Sequence, residues 1–549
     1  MKQLKAQFLY PLILIIGTLF LYGNVVNNEF SGLDDLLMIE ENWDHLTDFN
    51  HVFTAFNEDV FNGAEGTYYR PIQVLSHMPD ALIAQSETPT PKIFFQLNLF
   101  FFITAFVLLY FFLSEFGFSP GYRFLFSSFL AIHPTLTPAV AWIPGRVDII
   151  LFLFVIISIW SFIKYFKSNN TFWLVIHFMF FAIGIFTKET TIAVPFVSIL
   201  FIQYLALSPN GLHQGNGWAS IFSLKFWVGT LNYSLKWLKK HYYLILVYTL
   251  ILIIWAILRK NALPDNPFGF KGFVFHIMYC WKELVVLCGS IFLPFNLQVF
   301  LEFSWPFFAF GAIGTLLFFL VPKLIHTSFK ELFIAVSWMF LFIFPTVLSD
   351  FINYHRMFVP LVGMAFILKP LDKPLTLKSK TTGILALLFG LFLWQSMTFK
   401  KAFNTRISFW NNAIEYSPNS AFANNGLAWS FHLDNELDSA LKYYQRVIEI
   451  RPDRENVRIG MALIHEGRDE TFIADSLLQS EFLATKDSSQ VYFYMGQVQL
   501  ERGDTNQAIK NLELGLPAQK SSRIARIYYD TLGISVKERS RQLMDFNKN

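Results

Sequence analysis

Long apolar runs separated by short polar breaks fill the chain up to about residue 398. A helix that crosses a bilayer needs about 20 mostly apolar residues. By that measure the runs at 8–27, 93–114, 123–142, 148–166, 171–187, 190–207, 241–258, 305–321, 331–348, 355–369 and 382–398 are eleven predicted spans. The run at 273–293 is interrupted by Lys282 and Glu283 and reads as a re-entrant or interfacial segment. The longest break between runs is 28–92, which is acidic and aromatic. Loops of that length usually carry function. Within it, 43–61 and 68–84 alternate as amphipathic surface helices do, and are expected to lie along the membrane.

Past residue 399 the apolar runs stop and a 34-residue period begins. Ala428, Ala462 and Gly496 are 34 apart, and so are Ala440, Ala474 and Ala508. Leu427, Met461 and Met495 precede the first set, Tyr444, Leu478 and Leu512 follow the second by four, and Pro452 closes the first unit. Small residues recurring at close helix crossings, with large ones filling between them, form the tetratricopeptide pattern; the middle unit is degenerate. The expected fold class is therefore all-α: a polytopic membrane domain over 1–400, with 28–92 as its first extracytoplasmic loop, and a tetratricopeptide-repeat solenoid over 401–549. The groove of such a short superhelix binds peptide or packs on the membrane domain.

Composition agrees with a membrane protein: 54% of residues are hydrophobic, 65 are Phe, and mean hydropathy is +0.41. A net charge of +3, widely dispersed, gives no basis for nucleic-acid binding. Cys280 and Cys288 both lie in an apolar stretch and read as small hydrophobes rather than a disulfide or metal pair. Lys2 and Lys5 precede an apolar run with no small-residue cleavage site, so the first run is expected to stay as a helix. The basic residues fix the orientation. With the N-terminus cytoplasmic, the inner loops hold Lys164, Lys167, Lys236, Lys239, Lys240, Lys323, Lys330 and the cluster from Lys369 to Lys380, provided that 273–293 does not cross. The long loop and the C-terminal repeats then face away from the cytoplasm, at the inner membrane of a bacterium.

Charged residues gather at the outer ends of these spans. Asp34 and Asp35 follow the first, Arg70 lies in the long loop, and His133 with Arg146 and Asp148 flank the turn between the third and fourth. Lys188 and Glu189 join the fifth and sixth, and Asp350, His355 and Arg356 open the tenth. Taken singly, each has a structural explanation: a helix cap, a local ion pair, a snorkelling side chain. Their common side argues for a site. A carboxylate from Asp34 or Asp35 would take a proton from an acceptor hydroxyl. Arg70, Arg146, Lys188 and Arg356 would neutralise a departing phosphate, with His133, Asp148, Glu189 and His355 in support.

In these motifs the chain resembles the GT-C membrane glycosyltransferases. Within that class it resembles the transmembrane-and-tetratricopeptide-repeat (TMTC) O-mannosyltransferase family and its bacterial relatives. The matching residues run in order: Asp34-Asp35, Tyr69-Arg70-Pro71, Asn98, His133-Pro134, Gly145-Arg146 with Asp148, Lys188-Glu189, Arg356, Phe409-Trp410, Pro418 and the repeats. The resemblance implies inverting transfer of a sugar, mannose among the candidates, from a polyprenyl-phosphate donor in the membrane to hydroxyls of exported proteins. It places the base at Asp34 and Asp35. The residues themselves show no dedicated metal cluster and call for no certain cofactor, and they leave open a single divalent cation at the acidic pair. Three other functions compete: sugar transfer to a lipid or polysaccharide, a non-catalytic membrane-anchored repeat scaffold, and a transporter. The last would favour inverted repeats and charges near mid-bilayer, and the sequence has neither.

Overall fold

A computed structural model describes residues 2–61, 68–84, 86, 88–206, 232, 235–237, 239–263, 281–300, 305–345, 353–372, 380–485 and 488–515. Every regular element among them is helical. The membrane portion comprises α1 (Lys2–Tyr22), α2 (Pro71–Ala84), α3 (Pro91–Phe112), α4 (Pro120–Ala131), α5 (Arg146–Ser168), α6 (Thr171–Thr187), α7 (Val194–Ala206), α8 (Tyr242–Ala262), α9 (Trp305–Leu324), α10 (Phe329–Ile343) and α11 (Lys380–Phe399). Asp350, residues 273–280 with Cys280, and most of the Lys369–Lys380 cluster lie outside the described residues.

Among the described residues, five stretches are single helices long and apolar enough to cross a membrane: Gln7–Asn27, Pro91–Phe116, Ile143–Ser168, Tyr242–Ala262 and Thr382–Phe403. The chain is thus a membrane protein. The run expected to cross at 123–142 is instead a pair of helices bent by 59°. The bend falls at His133-Pro134, where proline removes a backbone donor and its ring prevents a straight helix. The expected span 355–369 is likewise broken, into 3-10 turns at Tyr354–Met357 and Pro360–Gly363 and a short helix. Of the other expected spans, 171–187, 190–207 and 305–321 correspond to shorter apolar helices, Thr171–Thr187, Glu189–Tyr204 and Phe308–Leu324, and most of the described part of 331–348 lies in α10.

An aromatic core holds the bundle together. Phe358 inserts between α3 and α5, with ring centroids 5.7 Å from Phe102, 5.4 Å from Phe106 and 4.9 Å from Phe152. The Trp338 indole N–H donates to Val359 O at 2.8 Å. These contacts pin the His355–Arg356 turn to the bundle. Elsewhere small residues let helices touch. A Cβ added to Gly289 would stand 2.2 Å from Gly311 O, and one on Gly314 would stand 2.2 Å from Gly289 O. Such small-residue crossings are a common way to pack helices in lipid. Cys288, next in the chain, packs against the core as a small apolar side chain.

Among the described residues, seven further helices follow the membrane portion: α12 (Arg406–Tyr416), α13 (Ala421–Leu433), α14 (Leu437–Ile450), α15 (Val457–Glu466), α16 (Thr471–Ala484), α17 (Ser489–Glu501) and α18 (Thr505–Gly515). They pack as successive pairs, α13 with α14, α15 with α16 and α17 with α18. Ala428, Ala440, Ala462, Ala474 and Ala508 are fully buried. A Cβ on Gly496 would come within 2.7 Å of Leu512 Cγ. The 34-residue period therefore marks where helices cross.

Candidate active site

Asp34 and Asp35 look alike in sequence but not in space. Asp35 is 1% exposed. Its carboxylate accepts the Ser31 N–H at 2.6 Å, the Ser31 hydroxyl at 2.7 Å and the Leu33 N–H at 3.0 Å. The Ser31 hydroxyl in turn accepts the Trp142 indole N–H at 3.1 Å, and Asn28 donates to Ala141 O at 3.4 Å. Asp35 is thus the knot of a turn fastened to the α4–α5 connection. Asp34 remains partly exposed beside it. Burial and then the Asp35 charge push the Asp34 carboxyl up to about 6, against the pull of Arg70 and Arg356.

Four distant stretches of chain supply the groups around Asp34. Asp148 stands in the first turn of α5, and Lys188 caps the end of α6. Lys188 Nζ donates to both Asp148 oxygens, at 2.8 and 2.9 Å. His355 Nε2 lies 3.5 Å from Asp148 Oδ2. The Arg70 guanidinium lies over the Tyr68 ring at 4.2 Å and pairs with Glu189 at 3.1 Å. Its Nε is buried with no hydrogen-bond partner. Arg356 is an electrostatic neighbour of Asp34, Asp148 and Lys188. Burial lowers the Lys188 ammonium to about 8, and Arg356 and Arg70 add to that, while Asp148 opposes it. The Glu189 side chain is 39% exposed. The cluster therefore opens at Asp34 and Glu189 rather than being sealed. With all its members ionised, the three cations Arg70, Lys188 and Arg356 face the four carboxylates of Asp34, Asp35, Asp148 and Glu189.

Two expected members stand apart. Arg146, expected to bind phosphate, is wholly buried and makes five hydrogen bonds with its five donors. Nε donates to Asn98 Oδ1, Nη1 to Ser76 O and Asp80, and Nη2 to Asp80 and Phe94 O. No donor remains for a ligand, so its role is to staple α2 to α3 and α5. His133, expected in support, also spends both ring nitrogens, on Ile291 O at 3.1 Å and the Thr135 hydroxyl at 2.7 Å. It holds the bend after α4. Two participants have no mark in the sequence. Asp80 lies in an amphipathic stretch beside Pro79, and Trp142 links the acidic turn to the ring of His355 at 5.6 Å.

Among the described residues no three or more His, Cys, Asp or Glu side chains gather as a metal-ligand set would. No family model matches the chain, and no curated protein matches it.

Proposed function

We propose that the protein is a membrane glycosyltransferase of the GT-C kind, resembling the TMTC O-mannosyltransferases, and that it moves a sugar from a polyprenyl-phosphate donor to a hydroxyl of an exported protein with inversion. The observation that carries this reading is a half-open, proton-competent carboxylate, Asp34, set near Arg70 and Arg356, which Lys188 also neighbours, beyond the end of the first span. The acceptor oxygen attacks the anomeric carbon as the bond from that carbon to the phosphate oxygen breaks. The acceptor's proton passes to Asp34. The bonding pair leaves with the phosphate, whose charge goes from one negative to two. Fixed cations stabilise that second charge more than the first, which is what lowers a barrier.

In this reading the membrane portion crosses eleven times, counting the broken and shorter helices, and the site faces away from the cytoplasm. The three helix pairs are tetratricopeptide units whose groove presents the acceptor. An apolar groove of about 280 Å³ between α7 and α10, lined by Phe196, Leu200, Ser337 and Phe340, begins about two turns past Glu189 and suits the first isoprene units of a donor tail.

Purified protein incubated with a panel of polyprenyl-phosphate sugars is expected to release polyprenyl phosphate from one of them and to label a Ser- or Thr-bearing acceptor. Label found only in lipid or polysaccharide would move the acceptor class. No release from any donor would end the enzyme reading. Removal of residues 457–549, which takes the second and third helix pairs, should leave slow donor hydrolysis in place and cut peptide glycosylation at least tenfold. Unchanged glycosylation by the truncated chain would count against presentation by the repeats.

A further inference from the structure

The carboxylate turn is not held by the membrane helices alone. Gly32 stands between Ser31 and Leu33, the two residues whose donors grip Asp35, and has φ +69°. The stem of Arg406, the first residue of α12, lies against it. A Cβ on Gly32 would come within 2.8 Å of Arg406 Cδ and 3.2 Å of Cγ. The Arg406 guanidinium reaches the first helix pair. Its Nη2 is 3.6 Å from Asp434 at the end of α13. It is also a charge neighbour of Glu40, the last residue of the π-helical turn that follows Asp35. Earlier in the loop's approach, Glu29 N–H donates to Asn404 O at 3.0 Å. On the far side, Glu41 is an electrostatic neighbour of Tyr494 in α17. The stretch from Glu29 to Glu41 thus borders the C-terminal helices as well as the membrane bundle.

We propose that Arg406 is a positioning residue for Asp34: its stem closes over Gly32 while its guanidinium pairs with Asp434, so that the C-terminal helices set where the acidic turn stands. This rests on the glycosyl-transfer reading of the site. Asp34 has no partner of its own among the turn's hydrogen bonds, so its carboxylate goes where the backbone of residues 31–36 carries it. Arg70, Lys188 and Arg356 are held by other elements. A shift of the turn would therefore spoil the base without loosening the donor's phosphate, and a misplacement of about 1 Å can cost roughly a hundredfold in rate. An acceptor held by the helix pairs would arrive already in register with its base.

The test uses full-length protein and compares wild type with Arg406→Lys, Arg406→Met, Arg406→Ala, Gly32→Ala and the Gly32→Ala/Arg406→Ala double variant. Arg406→Ala is expected to lower kcat between about tenfold and a hundredfold while donor KM stays within about twofold. Arg406→Lys should recover part of the loss, and Arg406→Met, which keeps the stem, a smaller part. The damage done by Gly32→Ala should shrink in the Arg406→Ala background, because the clash is gone. Wild-type kcat in Arg406→Ala, or an equal loss in all three Arg406 variants that tracks loss of folded protein, would overturn the proposal. If wild type itself transfers no sugar, the site reading fails separately. Amide hydrogen exchange over residues 31–36 then still decides the positioning claim: Arg406→Ala should speed it, and unchanged exchange refutes it.

Discussion

Asp34→Asn should abolish sugar transfer while the protein remains folded, and Asp35→Asn should lose activity only by losing structure. Positioned bases contribute about 10²–10⁴-fold to rate, and an amide cannot take a proton, so turnover by Asp34→Asn should fall by at least that much. Its stability should move the other way. A carboxyl whose folded-state value is raised binds its proton more tightly when folded, so ionising it as pH climbs through about 6 costs stability. Asp34→Asn escapes that cost and should melt no lower than wild type at pH 7. Asp35→Asn turns an amide NH₂ towards a site filled by the Ser31 N–H, the Ser31 hydroxyl and the Leu33 N–H. Losing a charge-assisted acceptor there should cost about 1.5–3 kcal/mol, visible as a lower melting temperature. The pH profile gives a second reading. Turnover should rise about tenfold per unit below pH 6 and level off above it, since only ionised Asp34 accepts a proton. Wild-type turnover in Asp34→Asn, or a rate unchanged between pH 5 and 7, would remove Asp34 from the chemistry.

Most of this cluster is legible in the sequence, because charge at a span end is conspicuous in a chain so apolar. The difference between Asp34 and Asp35 is not. It lies in three donors from a turn that exists only because Gly32 takes a left-handed conformation, and a pair of adjacent acids carries no sign of it. Nor does the sequence show that Arg146 is spent. Three of its five bonds go to Asp80 and Asn98, more than 40 residues away, and two go to backbone carbonyls that have no signature in sequence. Hydropathy windows count apolar residues without regard to proline, so they read 123–142 and 355–369 as straight spans although Pro134 and Pro360 stand inside them. The repeat period survives translation into structure better, because it records close helix crossings directly. Arg406 has only a neighbouring cap to mark it, Thr405 with Ser408, and nothing in sequence pairs it with Gly32.

Arg146→Ala should be the most destabilising single change in the membrane portion, and it separates a staple from a ligand. Both Arg146 and Asp80 are completely buried, and His77 beside them is kept neutral by burial and by the Arg146 charge. Removing one partner of a buried pair leaves the other charge desolvated and alone, at a cost of about 3–5 kcal/mol. Replacing both by apolar residues costs far less, so Arg146→Met/Asp80→Leu should be more stable than Arg146→Ala in detergent melts. Arg146→Lys should not rescue, because an ammonium offers three donors where the site accepts five. A ligand role makes the opposite forecast: Arg146→Lys would fold with an unaltered melting temperature and lose affinity for the donor's phosphate. Since α2 follows Arg70 directly in the chain, freeing it from α3 and α5 should also loosen the Arg70–Glu189 pair. Arg146→Ala is therefore expected to raise donor KM even where some folded protein is recovered, an effect that travels through the staple rather than from contact with substrate.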